Sequence, residues 1–142
     1  MFSKEESKQL RQDFWIAFGK SFPRKWILYN TKIKGLRFKF DFNVKQAMVS
    51  VDVDTENLER RIVLWEKLVS LKSILTSDYW PKAIFDDSYI LENGKEISRV
   101  YIKKENVSIH NKNTWRETME FLNENMKQVE DFFLKYQDII DV

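Results

Sequence analysis

Residues 36–54 read LRFKFDFNVKQAMVSVDVD and carry the clearest structural signal in the chain. Apolar side chains occupy every second position from Leu36 to Phe42, and again from Ala47 to Val53. Because successive side chains of a strand point to opposite faces, this alternation predicts two strands, each buried on one side. One face would be a wall of phenylalanine and valine that needs a cover, and the other would be charged.

The positions of these apolar residues also limit how the two strands can pair. They are even-numbered in the first strand and odd-numbered in the second, so the numbers of paired residues must sum to an odd value. A loop of two or four residues satisfies this rule. With the loop at 43–46, Phe42 faces Ala47, and Arg37 lies opposite Asp52 on the charged face.

Helices are predicted on either side of these strands. Two capping boxes, Ser3 with Glu6 and Thr114 with Glu117, predict the start of a first helix and of a long last helix. Another helix is expected from about residue 55 to 76, with a broad buried face. The residues of that face are Leu58, Ile62, Trp65, Leu68, Val69, Leu71 and Leu75.

A second hairpin is predicted around the dipeptide Asn93-Gly94. This pair favours a type I′ turn, in which both central residues have positive φ, and such a turn would place Ile90 opposite Ile97. Short strands are also expected at 24–30 and, at a sheet edge, at 107–110. The resulting fold class is α+β: a two-layer sandwich with a mainly antiparallel sheet covered by helices, in the order α-β-β-β-α-β-β-(β)-α.

Length and composition set further bounds. The 142 residues suit a single domain spanning 1–142. The chain has no cysteine, which excludes disulfides, thiolate zinc sites and cysteine nucleophiles and fits a reducing compartment. The charged start lacks a signal-peptide core, and no apolar run is long enough to cross a membrane. We therefore expect a cytoplasmic protein with no cofactor and no membrane partner.

Several segments together resemble a known family. They are residues 2–20, 26–31, 35–42, Gly94, 98–101 and the helix at Trp115. They look like a small bacterial family catalogued as unknown-function domain forty-two sixty-eight. The resemblance implies no established activity. It does imply an association with nucleic acid, because related domains are similar to C-terminal parts of longer proteins with nuclease-like N-terminal regions.

Three acidic residues invite comparison with metal-dependent nucleases. Asp52 and Asp54 share one face of the second strand, Asp41 lies across the hairpin, and carboxylates of this kind can hold magnesium beside an attacking water. Such nucleases also need a lysine at the place that Asp54 occupies here. The favoured alternative is a solvated strand end, in which Asp52 pairs with Arg37 and Asp54 caps the next helix. We therefore expect neither a metal nor a catalytic residue.

Other enzyme classes lack their characteristic residues. His110 is the only histidine, so a two-histidine metal site is impossible. A catalytic triad would need His110 beside a serine, and no G-x-S-x-G elbow is present. Neither a phosphate-binding P-loop nor a G-x-G-x-x-G motif occurs. A non-enzymatic role is the expectation.

The segment 20–45 is strongly basic, with eight Lys or Arg residues against one acid. Cations hold phosphates and exposed aromatic rings stack on bases, so this segment predicts a nucleic-acid surface as the second hypothesis. Its candidate residues are Arg24, Lys25, Lys32, Lys34, Arg37 and Lys39. The alternative is a basic surface that balances the acidic last helix, in this chain or in a neighbour.

Binding to a protein partner or to a second copy is the first hypothesis. The second hairpin predicts an exposed row of apolar, aromatic and arginine side chains, which are enriched in interface cores. The long last helix is expected to cross the sheet beside the first helix, and the alternative is that its end packs on a second subunit. The candidate interface residues are Ile90, Ile97, Arg99, Tyr101, Phe133, Tyr136 and Ile140.

Overall fold

Four strands form one antiparallel sheet in the computed structural model, which describes residues 2–141. Strands β1 (Leu36–Phe42) and β2 (Gln46–Val53) make the first hairpin, and β3 (Ile84–Ile90) and β4 (Glu96–Glu105) make the second. β4 lies against β2, so the order across the sheet is β1-β2-β4-β3. The helices are α1 (Lys4–Ser21), α2 (Leu58–Ser70), α3 (Lys72–Asp78), a 3-10 turn (Lys112–Thr114) and α4 (Trp115–Ile140).

The helices cover the apolar face of the sheet. The ring of Phe14 in α1 lies 4.6 Å from that of Phe42 in β1, and Phe133 in α4 lies 5.2 Å from Phe38. α2 covers the same face, because the Arg61 Nε donates to the Ser98 Oγ at 3.0 Å. The α+β fold class, with helices packed on an antiparallel sheet, is confirmed.

The predicted pairing of β1 with β2 is also confirmed. Phe42 lies opposite Ala47, and Arg37 lies opposite Asp52. The four-residue loop closes as expected, with the Asn43 amide donating to the Gln46 carbonyl at 3.0 Å. Alternation therefore limited the possible registers, and of the two allowed loop lengths the four-residue loop is the one that the expected pairing uses.

The two additional short strands are wrong. Residues 24–30 pass beside β1, and the Phe38 amide donates to the Leu28 carbonyl at 3.0 Å, but a turn in which Leu28 has φ 46° prevents a ladder. Residues 107–110 make one such bond, from the Ile109 amide to the Asn43 carbonyl. The observed element order is α-β-β-α-α-β-β-α.

The predicted turn of the second hairpin is wrong by one residue. Of the two turn residues Asn93 and Gly94, only the glycine has a positive φ, 86°. The Leu91 amide donates to the Lys95 carbonyl across a three-residue loop. Ile97 therefore lies opposite Tyr89 rather than Ile90. Tyr89 therefore shares a face of the sheet with Ile97 and Arg99, opposite the helices.

Two helix starts also differ from the prediction. The Asn57 side chain caps α2 by accepting from the Arg60 amide at 3.1 Å, and the helix breaks at Leu71 before α3. The Thr114 hydroxyl donates to loop carbonyls, so the second capping box does not form. The first capping box, at Ser3, is confirmed. None of the helices in the described range is both long and apolar enough to span a membrane.

Candidate functional site

The face of the sheet opposite the helices holds a buried ion pair at its centre, beside the buried Met48, Ser50 and Ile97. Arg99 on β4 binds Asp52 on β2 through two hydrogen bonds, Nε to Oδ1 at 2.8 Å and Nη2 to Oδ2 at 2.9 Å. The exposed fraction of Asp52 is 0% and that of Arg99 is 5%. The Tyr89 ring stacks on the guanidinium, whose carbon lies 4.3 Å from the ring centre. The Asp52 carboxylate is therefore shut off from water, and the guanidinium is held in one geometry.

A second ion-pair group lies at the end of β2. The Asp54 carboxylate accepts from the Arg37 Nη2 at 2.6 Å, and the Lys95 ammonium lies 2.6 Å from its other oxygen. The predicted pairing of Arg37 with Asp52 is therefore wrong, as is the role of Asp54 as a helix cap. Asp52 pairs with Arg99 because β4 is the neighbour of β2 on the side away from β1. The order of the strands along the chain does not reveal which strands become neighbours in the sheet.

The loop between β3 and β4 borders an open cavity of about 370 Å³ on this face. β1 and β3 are opposite edges of the sheet, yet both contribute side chains to the same cavity. Its lining residues are Lys39, Asp41, Asn43, Gln46, residues 89–93 and Arg99. The lining is mostly polar, and it carries both positive and negative groups.

Asp41 is the half-buried carboxylate of this cavity. Burial raises the pKa of Asp41, while the charges of Lys39 and Arg99 act in the opposite direction. Within residues 2–141, no side chain forms an ion pair or a side-chain hydrogen bond with this carboxylate. The carboxylate accepts a hydrogen bond from the Phe42 backbone amide and feels the charges of Lys39 and Arg99, but neither cation pairs with it directly.

The weak metal candidates Asp41, Asp52 and Asp54 do not converge. Asp52 has both oxygens bound to Arg99, and Asp54 has both oxygens beside cations. Across residues 2–141, no three carboxylate or imidazole groups come close enough together to hold a metal ion. What the arrangement offers is electrostatic and hydrogen-bonding recognition.

His110 does lie beside a serine. Its Nε2 is 2.8 Å from the Ser7 Oγ, and its ring packs on that of Phe2 with 4.6 Å between centres. Within residues 2–141 no carboxylate hydrogen-bonds the other ring nitrogen, so the group that orients a catalytic histidine is missing. The contact joins α1 to the loop before α4.

The predicted basic surface is divided between two roles. Arg24 donates to the buried Glu130 of α4 at 2.9 Å, and the same carboxylate accepts from the Ile27 amide at 2.6 Å, so Arg24 anchors the loop after α1. Arg37 is bound to Asp54. Lys25, Lys32 and Lys34 are exposed on that loop, and Lys39 lines the cavity. Tyr29, 72% exposed, lies beside Arg37, 5.7 Å from ring centre to guanidinium carbon.

The predicted interface residues fall into three places. Ile90 is exposed, and Tyr101 and Tyr136 are half-buried. Arg99 is buried in its ion pair, and Ile97 is buried beside it, so the expected exposure of these two is wrong. Phe133 and Ile140 are buried in the chain's own core.

An apolar stripe on α2 was missed as a surface. Leu58, Ile62, Trp65 and Val69 recur at spacings of four and three, so they share one side of the helix. Leu58 is 60%, Ile62 47% and Val69 43% exposed. The sequence predicts this stripe as core, because periodicity identifies an apolar face but not what covers it.

Comparison with known proteins identifies a family. A family described as "Domain of unknown function (DUF4268)" matches residues 10–137. This confirms the resemblance drawn from the residues. No curated protein and no solved structure matches the chain.

Proposed function

Because this chain belongs to DUF4268, a domain family of unknown function, we propose its role from its own surface. We propose a non-catalytic binding module that docks a protein partner through the α2 stripe, meaning Leu58, Ile62, Trp65 and Val69. The proposal extends to a cytoplasmic location, which the absence of cysteine supports.

The observation that carries the proposal is the exposure of the stripe. α2 turns Leu64 and Leu68 to the core, and both are buried. The stripe lies on the neighbouring side, which is turned toward the free edge of β3, because Trp65 contacts Phe85 with 5.8 Å between ring centres. Contiguous exposed apolar side chains with a polar rim are typical of interaction sites.

Acidic residues on one side of the stripe favour a partner with basic residues there over a second copy, while the other side carries Lys72, 5.2 Å from the Phe85 ring centre, and the ion-paired Arg61. Glu59 and Glu66 are exposed on α2 beside the stripe, and Asp87 is exposed on the adjacent edge strand. Two-fold pairing of α2 with its copy would place these like charges near one another, which is unfavourable. Strand β3 is further protected against self-pairing by the irregularity between Asp86 and Tyr89. A partner segment with apolar residues flanked by lysine or arginine fits better.

Site-specific photo-crosslinking in cells tests this proposal. A photoreactive amino acid at Ile62 should give one discrete adduct, and the same probe at Ile16 on α1, which is also exposed, should not. The adduct should disappear when Val69→Asp is added and persist when the exposed Lys127→Asp is added instead. Adducts that are equal from positions 62 and 16 would contradict the proposal.

Sedimentation velocity separates the two kinds of partner. The isolated chain should remain a monomer as its concentration rises, because the stripe is matched to a different protein. Concentration-dependent dimerisation that Ile62→Asp abolishes would instead assign the stripe to self-association. Crosslinking thus tests whether the stripe binds a partner, and sedimentation tests whether that partner is a second copy of the chain.

A second candidate function is binding of single-stranded nucleic acid at the loop after α1. Its support is Tyr29, an exposed ring on the loop that also carries the exposed Lys32 and Lys34, since aromatic stacking combined with cations is how such strands are held. Fluorescence anisotropy at about 50 and 200 mM salt should show a steep loss of affinity between the two. Tyr29→Ala should weaken binding, whereas Tyr136→Ala should not. Absence of binding at low salt would reject this function.

A further inference from the structure

The cavity beneath the β3–β4 loop presents donors on one wall. A guanidinium carries five N–H groups, and Asp52 takes two of those on Arg99. The Nη1 group faces the Met48 sulfur, a weak acceptor, at 3.6 Å, and the Tyr89 side chain covers the guanidinium on one face. Arg99 lines the cavity while remaining 95% covered, so its unused donors are fixed in direction. The Lys39 ammonium adds a positive group at the same cavity.

The same cavity presents acceptors on its other walls. Asp41 lies on the sheet floor without a side-chain partner, and Glu92 stands on the loop above it. Asn43 and Gln46 add amide groups at the hairpin end of β1 and β2. A ligand that filled this space would meet a carboxylate and a guanidinium at the same time.

From this juxtaposition we infer that the cavity binds a small zwitterion of the amino-acid type, with its carboxylate at Arg99 and Lys39 and its ammonium at Asp41. An anion alone would leave Asp41 unpaired, and a cation alone would leave the Arg99 donors unused. The volume of about 370 Å³ lies near the lower end of the range for small-molecule pockets, about 300–1,000 Å³, which suits a ligand of this size.

The β3–β4 loop borders the cavity and leaves it open to a ligand from solvent. Residues 92–94 at the tip of the hairpin are exposed, and Lys95 ties the base of the loop to Asp54. The floor of the cavity is formed by the β1–β2 hairpin, in which Lys39 lies opposite Ser50 and Asp41 opposite Met48. The site thus combines a fixed floor with a wall that ends in an exposed turn.

Calorimetric titration of the full chain with each standard amino acid tests the inference, with thermal unfolding as a second readout. One amino acid, or a group with similar side chains, should give saturable heat and raise Tm. The amine that lacks its carboxylate, and the acid that lacks its amine, should each bind at least about tenfold more weakly, because each loses a charge-assisted contact. Equal binding by either analogue would overturn the zwitterion assignment, as would no heat from any amino acid.

Two conservative variants locate the binding. Asp41→Asn keeps the shape of the side chain and should weaken binding about tenfold or more, with Asp131→Asn on the exposed side of α4 as the matched control. Lys39→Gln should weaken binding less, since Arg99 remains. Thermal unfolding of each variant shows that it is folded. Unchanged affinity in folded Asp41→Asn would place the ligand elsewhere and refute the inference.

Discussion

Replacement of Arg99 by methionine tests the buried ion pair directly. Methionine keeps most of the volume of the side chain but removes both hydrogen bonds to the Asp52 carboxylate. That carboxylate is 0% exposed, so water cannot replace the lost partner. The variant therefore isolates the free-energy cost of an unpaired buried charge on the face of the sheet opposite the helices.

The expected loss is a large part of the stability of the chain. Removing one member of a buried pair typically costs about 3–5 kcal/mol, against about 5–15 kcal/mol for the whole free energy of unfolding. Arg116→Met is the matched control, because its side chain is 93% exposed and its partner Glu120 is exposed as well. That surface pair should be worth at most about 0.5 kcal/mol.

Urea unfolding followed by tryptophan fluorescence measures both losses. The chain has five tryptophans, among them the fully buried Trp80, so the signal reports on the core. Adding Asp52→Val to Arg99→Met should recover most of the loss, because an apolar pair of similar volume needs no partner. A loss below about 1 kcal/mol for Arg99→Met alone, or no recovery in the double variant, would refute the reasoning.

Three other sets of variants examine a glycine, the core and a titrating group. Gly35→Ala should cost roughly 1–3 kcal/mol, since φ is +91° and the new Cβ would lie 3.1 Å from the Thr55 Cβ, while Gly94→Ala, φ +86° in open space, should cost only about 1 kcal/mol. Equal losses in urea would show that crowding plays no part. Leu122→Ala should cost about 2–5 kcal/mol by the same assay, because Leu122 is fully buried in α4, and a loss under about 1 kcal/mol would contradict its place in the core. Asp41→Asn should raise Tm at neutral pH, because burial raises the pKa of Asp41 in the folded chain. Wild-type stability then falls as pH rises through that folded pKa, so the gain should vanish below about pH 4, and a gain independent of pH would exclude this cause.

The first hairpin could be predicted to the residue because two independent constraints agreed. Alternation determined which residues of β1 and β2 share a face, and the short loop left few registers, among them Phe42 opposite Ala47. For the second hairpin the same method relied on the dipeptide Asn93-Gly94 alone. A glycine with positive φ suits a three-residue loop as well as a two-residue one, and the difference moved Tyr89 to the other face.

The binding surfaces were harder to predict than the fold. The partner of Asp52 is set by β4 lying beside β2, and local patterns carry no information on which strands become neighbours. Arg24 was placed on a nucleic-acid surface because its charge is visible in the sequence, whereas the buried Glu130 that binds it is remote along the chain. Exposure of the α2 stripe depends on where the helix sits on the sheet.

The central seam between β2 and β4 has a consequence for how fast the chain folds. Each hairpin closes over a short loop and can form in about 1–10 µs, whereas the seam joins segments separated by α2, α3 and β3. Closing so long a loop lowers the chain entropy before the long-range contacts have formed to offset this cost. This raises the free-energy barrier and slows folding. We therefore expect the meeting of the two hairpins to be the slow step of folding, and the Arg99–Asp52 pair joins β4 to β2 there. Register along that join decides whether Arg99 reaches Asp52 or enters the core.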